Sequence, residues 1–180
     1  MFTSLLYFKI RQITIFIYKL LQISKKTLYF LIGMMYNCIE LIFERGKHMG
    51  MFIIKKTPTG FNFSLLASNK EKIAVASQVY TTKSSCKGGM DAVGRHSKRC
   101  IDEGRIEDQT LKNPTTSTCP KFEIYFDKAG LYRYRLIASN GESICMSEEG
   151  YKSKSGVMNG IRSVAVNSQN PEIIDETLEK

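Results

Sequence analysis

Apolar and polar residues alternate along two separate parts of the chain, and each alternation predicts β-strands. Phe61, Phe63 and Leu65 share one face of the first such strand, and Asn62 and Ser64 share the other. A period of two residues is typical of a strand with one buried face. The same alternation returns later in the chain at Tyr132, Tyr134 and Leu136.

The period changes to that of a helix after each group of predicted strands. Apolar residues then recur at i, i+4 and i+7, which places them on one helical stripe. The two stripes are Cys86, Met90 and Val93, and Val157, Ile161 and Val164. Thr82 and Ser153 precede them, and each side-chain oxygen can accept a free backbone N–H as an N-cap. Gly89 and Gly160 lie beside the stripes, which indicates that each helix packs closely on a sheet.

The two patterns are copies of one unit. The segment FNFSLLASN (61–69) aligns with YRYRLIASN (132–140), and IEDQTL (106–111) aligns with IIDETL (173–178). Each copy predicts three strands, a helix and a last strand, and Asn140-Gly141 predicts a type I′ hairpin turn. One unit has a small core, whereas two can share a sheet beneath two helices. We therefore predict an α+β fold with one mainly antiparallel sheet covered on one face.

The paired motifs resemble the YegP-like family, bacterial proteins of unknown function whose short units often occur in tandem. The second copy carries the pattern at Ala138, Asn140, Gly141, Tyr151, Ser153, Lys154, Gly160, Ile161 and Val164. The first carries it at Ala67, Asn69, Tyr80, Thr82, Lys83, Gly89, Met90 and Val93, with departures at Lys70 and Met90. The resemblance implies tandem β(3)-α-β repeats that exchange their C-terminal strands. It divides the chain into a first repeat (49–111), a linker (112–120) and a second repeat (121–180), and it brings no catalytic residues.

Residues 1–48 have a different composition, without Ala, Val, Pro, Asp or Trp. One interpretation is an untranslated leader that has been read as protein, because these residues favour A/T-rich codons and a purine-rich run could encode a ribosome-binding site before Met49. A membrane or interfacial anchor is the second, with its best window at 27–43, although Glu40 makes insertion costly. A signal peptide fits poorly, because no small-residue cleavage site is present.

Net charge and cysteine content change this picture little. Of the net charge of +9, residues 1–48 carry +5, so the two repeats hold only a modest excess of cations. Five cysteines without a C-x-x-C spacing are typical of free thiols in a reducing compartment. We therefore predict a cytoplasmic protein without a disulfide framework, a structural zinc site or another cofactor.

One candidate binding surface is the outer sheet face of the second repeat. Tyr125, Arg133 and Arg135 fall on adjacent predicted strands and point away from the core. Aromatic and arginine side chains on an open sheet can stack on bases and hold phosphates. The alternative is a solvated strand face whose long side chains cover apolar area. Nucleic acid is therefore a possible partner, and a membrane is one only if residues 1–48 are translated.

The helix starts form a second candidate surface. Thr82-Lys83 and Ser153-Lys154 combine free backbone N–H groups with a lysine, which makes an anion site plausible. The alternative is a structural cap beside a packed tyrosine.

Catalytic chemistry is not indicated by the sequence. His96 falls among basic residues, and Cys86 lies on an apolar stripe where a buried thiol is expected. No nucleophile with a base and an orienting group can be assembled, and no phosphate-binding Gly loop occurs. We therefore predict a non-enzymatic binding or accessory module whose partner is unknown, with a nucleic-acid-associated protein as the alternative.

Overall fold

The structure, a computed structural model, describes residues 9–13, 15 and 50–178. It divides into two units, residues 1–47 and 48–180. In the first unit, residues 9–13 and 15 are helical. The rest of the segment 1–48, for which a leader or an anchor is predicted, lies outside the described residues, and this includes the anchor window 27–43. None of the helices in the described ranges has the length and apolar character needed to cross a membrane.

Residues 50–178 contain the two predicted repeats, each with the order βββαβ. The strands are β1 (Met51–Thr57), β2 (Gly60–Leu66), β3 (Lys72–Ala76), β4 (Ile106–Asp108), β5 (Lys121–Phe126), β6 (Tyr132–Ile137), β7 (Ser143–Met146) and β8 (Glu172–Asp175). The helices are α1 (Lys83–Asp102) and α2 (Lys154–Asn167). All eight strands join one sheet, so the predicted α+β architecture is confirmed.

The last strand of each repeat pairs with the other repeat. The sheet order is β4-β5-β6-β7-β3-β2-β1-β8. Strand β4 runs parallel to β5 with Ile106 opposite Phe122, and β8 runs parallel to β1 with Ile173 opposite Phe52. The other neighbours are antiparallel. The predicted strand exchange is therefore confirmed, and each repeat supplies one edge strand to its twin.

An internal two-fold axis relates the repeats. Val75 of β3 lies opposite Met146 of β7, its counterpart in the second repeat. On the helical side, the buried hydroxyl oxygens of Ser97 and Ser168 lie 2.9 Å apart, and these residues are also counterparts. Contacts between equivalent residues arise where the axis passes, so it crosses the sheet between β3 and β7.

The core lies between one sheet face and the two helices. Its largest fully buried side chains include Phe52, Phe63, Phe122, Tyr134, Leu65, Leu136, Ile161, Val93, Val157 and Val164. Both predicted helical stripes are buried here, including Cys86 and Met90 of the first stripe. Small side chains at Ala74 and Cys145 complete the central strands.

The hairpin after β6 differs from its predicted turn type. Gly141 has a φ of 84°, but Asn140 is not among the residues with positive φ, so the turn is not type I′. The N–H of Gly141 donates to the carbonyl of Ala138 (3.0 Å), which closes a type I turn followed by a left-handed residue. Lys70, with a φ of 67°, occupies the same place in the first repeat. The hairpin was predicted correctly and its type was wrong.

Candidate functional site

The outer sheet face of the second repeat brings together the three residues singled out from the sequence. Tyr125 lies opposite Arg133 in the β5–β6 register, and Glu123 lies opposite Arg135. The guanidinium carbon of Arg135 lies 5.4 Å from the centre of the Tyr125 ring, within cation–π range. Tyrosine and both arginines therefore form one continuous patch, which we call the Tyr–Arg patch.

A chain of alternating charges runs through this face. Arg135 Nε lies 2.6 Å from Glu123, and Lys121 lies between Glu123 (2.9 Å) and Glu107 (2.8 Å). Although burial acts to raise the pKa of the Glu123 carboxyl, Lys121 and Arg135 outweigh it and hold that pKa below its usual range. Lys121 is almost buried, and Glu107 above all raises the pKa of its ammonium group. Each charge is stabilised by a neighbour of opposite sign.

Arg133 also has a carboxylate partner. Its Nε lies 2.8 Å from the Asp127 carboxylate, and an Nη donates to the carbonyls of Ser147 (3.2 Å) and Glu148 (2.8 Å). The Arg133 guanidinium in turn holds the pKa of Asp127 below its ordinary value. The Tyr–Arg patch is thus a mixed-charge surface in which both arginines already have carboxylate partners.

This surface is not duplicated in the first repeat. Lys55, Asn62 and Ser64 occupy the positions that correspond to Tyr125, Arg133 and Arg135. The repeats share a scaffold, and the outer face is one place where they differ.

The helix starts show the predicted caps. Thr82 Oγ1 accepts the N–H of Ser85 (3.1 Å), and Ser153 Oγ accepts that of Gly156 (3.1 Å). The hydroxyl of Ser85 also accepts the Thr82 N–H, which completes a capping box in the first repeat. Both N-caps are confirmed.

The lysine that follows each cap pairs with an aspartate on the strand received from the other repeat. Lys83 Nζ lies 2.8 Å from Asp175, and Lys154 forms the equivalent ion pair with Asp108. We call these two pairs the exchange locks. An anion at either helix start would have to compete with a carboxylate of the protein itself, so the anion sites at Thr82 and Ser153 stay predictions.

Each aspartate of the exchange locks is also held by a threonine two residues later. Thr177 donates its N–H (3.1 Å) and its hydroxyl (2.5 Å) to Asp175, and Thr110 does the same for Asp108 (3.0 and 2.5 Å). Lys83 and Thr177 lower the pKa of Asp175 to about 2. In Asp108, Lys154 and Thr110 outweigh the effect of burial and also lower the pKa.

Among the described residues, burial shifts the pKa values of three thiols and of His96. Burial raises the pKa of Cys100 to about 11 and that of Cys145 to about 12, and it also raises that of Cys86. The pKa of His96 is lowered by partial burial and by Arg95 and Arg99. No cluster of metal-ligating side chains occurs in the part of the chain that the structure describes.

Sequence reasoning found the Tyr–Arg patch but missed its carboxylate partners and the exchange locks. The available signal for the locks was the repeated Asp-x-Thr at Asp108 and Asp175, which marks the end of each last strand. The signal for the charge chain was the alternation of Lys121, Glu123 and Tyr125 on one strand face.

The geometry of the two repeats agrees with comparisons to known proteins. The model of the family described as Domain of unknown function (DUF1508) matches residues 59–99 and 127–175, one segment in each repeat. The chain belongs to the DUF1508 family. The relatives of this DUF1508 protein carry the family name UPF0339.

The chain matches some relatives over about the length of one repeat and others over the length of both. A UPF0339 protein of Agrobacterium fabrum is 53% identical over 57 residues, which are 32% of this chain and 90% of that protein. A UPF0339 protein of Bordetella pertussis is 32% identical over 128 residues, 71% of this chain and 96% of that protein.

A solved structure shares the fold. The solution NMR structure of yegP from E. coli, a protein of unknown function, matches with a TM-score of 0.55 and 26% identity. The match covers 71% of this chain and 93% of that one. The YegP-like resemblance drawn from the two motif copies is thereby confirmed.

Proposed function

We propose that this DUF1508 protein is a non-enzymatic binding or accessory module. The supporting observation concerns its ionisable groups: within residues 50–178, every pKa that departs from its ordinary value moves away from neutrality. The thiols and phenols with raised pKa values are Cys86, Cys100, Cys145, Tyr80, Tyr134 and Tyr151. The carboxyls with lowered values are Glu103, Glu107, Asp108, Glu123, Asp127 and Asp175.

General acid–base catalysis needs the opposite arrangement. A catalytic carboxyl, thiol or lysine is useful when its pKa is brought towards the working pH. Here the carboxylates are held ionised by cations, and the buried thiols are held protonated. These shifts are typical of structural ion pairs and core thiols, which supports a role without acid–base catalysis.

Incubation of the purified protein with a cell extract tests this proposal. We expect mass spectrometry to show bound molecules that are recovered unchanged, with heat-denatured protein as the control. A native pull-down of residues 49–180 would identify copurifying proteins and nucleic acids. A metabolite consumed over time, in molar excess over the protein, would overturn the proposal.

A nucleic-acid-associated role is the second candidate, because the Arg135 guanidinium stacks on Tyr125 and 43% of its side chain remains exposed. Such a pair can hold a base and a phosphate of a single strand. The carboxylates beside Arg133 and Arg135 oppose this role, since a phosphate would have to displace them.

The carboxylates also provide a sharp test of this candidate. If the Tyr–Arg patch binds single-stranded DNA or RNA, Arg133→Ala/Arg135→Ala should abolish binding, and Asp127→Asn should strengthen it by freeing Arg133. Arg162→Ala on α2 is the matched control, since it removes a cation outside the patch. Binding should weaken steeply as salt increases. Equal binding by all four proteins, or none by any, would exclude the patch as a nucleic-acid site.

A further inference from the structure

A cavity of about 680 Å³ lies beside α1, on the helical side of the sheet. Phe52 and Met90 lie beneath it as core residues with almost no exposed surface, and Ile173 of the exchanged strand β8 supplies exposed apolar surface. One wall is the side of α1, and the other is the connection from α2 to β8, which contains Pro171. The volume is within the range of small-molecule sites. We call this cavity the α1 cleft.

The cleft follows from a difference between the repeats. Helix α1 has 20 residues and α2 has 14. The extra turns of α1 bury Cys100 completely and pack Ile101 against the core. After α2 the chain instead turns at Asn170, with a φ of 51°, and leaves Ile173 48% exposed. The internal symmetry therefore places the cleft where the missing turns of α2 would lie.

Polar contacts hold the mouth of the cleft in shape. The Gln169 side chain donates to the carbonyl of Gly94 (2.9 Å), and Ser168 lies 2.9 Å from Ser97. A Cβ at Gly94 would come within 2.9 Å of the Ser168 carbonyl oxygen. The two walls are thus fixed to each other at one end, which keeps the cavity preformed.

The charges on the α1 wall divide into paired and unpaired groups. Lys98 pairs with Asp102 (2.7 Å) and Arg99 with Glu103 (2.8 Å). Two other lining residues, Asp91 and Arg95, make no ion pair within residues 50–178.

The unpaired groups are suited to a ligand that carries both signs of charge. Asp91 and Arg95 are one helical turn apart on the same side of α1, so their β-carbons are about 5–6 Å from each other. Among the described residues that line it, the cleft thus offers an unpaired anion (Asp91), an unpaired cation (Arg95) and the half-exposed apolar side chain of Ile173.

We propose that the α1 cleft binds a free apolar α-amino acid. Arg95 binds the carboxylate, Asp91 binds the ammonium group, and the apolar side chain lies on Ile173 and Pro171, which keep exposed apolar surface. The proposal rests on the proposed function as a binding module and names its ligand class. It involves no covalent step.

Titration of the full chain with L-phenylalanine, followed by two-dimensional amide NMR, tests the proposal. Two analogues separate the charges: 3-phenylpropanoate lacks the ammonium group, and 2-phenylethylamine lacks the carboxylate. We expect saturable shifts at Met90 and Ile173 with L-phenylalanine, and affinities about three- to tenfold weaker for each analogue.

Three variants assign the charges. Arg95→Gln and Asp91→Asn should each weaken L-phenylalanine binding about three- to tenfold, while each leaves unchanged the affinity of the analogue that lacks its partner group. Lys87→Gln, an exposed change on α1 outside the cleft, should bind like the natural protein. Absence of saturable shifts, equal affinities for all three probes, or full binding by both variants would overturn the proposal. The extract assay for catalysis is independent of these results, so the two proposals can fail separately.

Discussion

Two glycines show why the same tyrosine-glycine motif recurs in both repeats. Gly89 and Gly160 were expected to let each helix pack closely on the sheet. In the structure, the group they accommodate is a tyrosine: a Cβ would lie 2.2 Å from the Tyr80 hydroxyl or 2.3 Å from that of Tyr151. Each tyrosine also stacks on the ring beneath it, Phe63 or Tyr134. Tyrosine and glycine therefore recur as a pair that packs together.

Gly89→Ala should lower the free energy of unfolding by about 1–3 kcal/mol, because Tyr80 stacks on Phe63 and would have to shift. The adjacent Gly88→Ala is the control, since its Cβ meets nothing within 4 Å. It should instead raise stability by about 0.5–1 kcal/mol through helix propensity. Urea denaturation measures both values. Unchanged stability in Gly89→Ala would mean that Tyr80 is not confined.

Residue patterns alone predicted the caps at Thr82 and Ser153 and both buried stripes, since these depend on neighbours close in sequence. The turn at Asn140-Gly141 was predicted with the wrong type. The pairing of β6 with β7 is irregular between Leu136 and Ile137, next to this turn. The residue pair Asn-Gly alone does not predict such an irregularity.

At the scale of elements, the exchanged strands are the distinctive feature. Strands β4 and β8 are short, with three and four residues. Each is held by parallel pairing with one partner strand and by an exchange lock to the helix of that repeat. Helix and received strand are thereby joined at the point where each last strand ends.

The exchange locks should make stability depend on pH in the acid range. The pKa of Asp175 is about 2 in the folded protein and 3.8 ordinarily, so the folded state binds its proton less readily. Its contribution is complete above about pH 4 and is lost as pH falls towards 2. Asp175→Asn should therefore be less stable at neutral pH and show a flatter stability profile in this window.

Thermal unfolding between pH 2 and pH 7 measures this effect. Glu149→Gln, which removes an exposed carboxylate outside any ion pair of the described residues, should keep the slope of the natural protein. If the stability of Asp175→Asn falls with acidification as steeply as that of the natural protein, other carboxylates account for the acid sensitivity.

At the scale of the whole molecule, neither repeat is complete alone. The first repeat receives β8 along the edge of β1, and the β3–β7 junction adds the Lys72–Glu148 ion pair (2.6 Å) and the Ser77–Ser143 contact (2.7 Å). Two small cores become one because the sheet and the helices continue across the axis.

A fragment of residues 49–111 should therefore not form a folded monomer. It lacks β8, which leaves the edge of β1 unpaired, and a single domain of this length is only marginally stable. We expect dimerisation with β4 exchanged between copies, as β4 and β8 are exchanged within the chain. Sedimentation would measure the oligomeric state of the fragment, and circular dichroism would measure its secondary structure. A compact folded monomer would contradict the prediction.

Local periodicity and the likeness of two segments were enough to predict the strands, the capped helices, the duplication and the family. The neutralisation of charges and the position of empty space follow instead from contacts between residues that are far apart in sequence. Arg133 and Arg135 suggested a cationic surface until strand pairing placed Asp127 and Glu123 beside them. The α1 cleft depends on the early end of α2 beside α1 of the other repeat, and residues so distant in sequence meet only through packing.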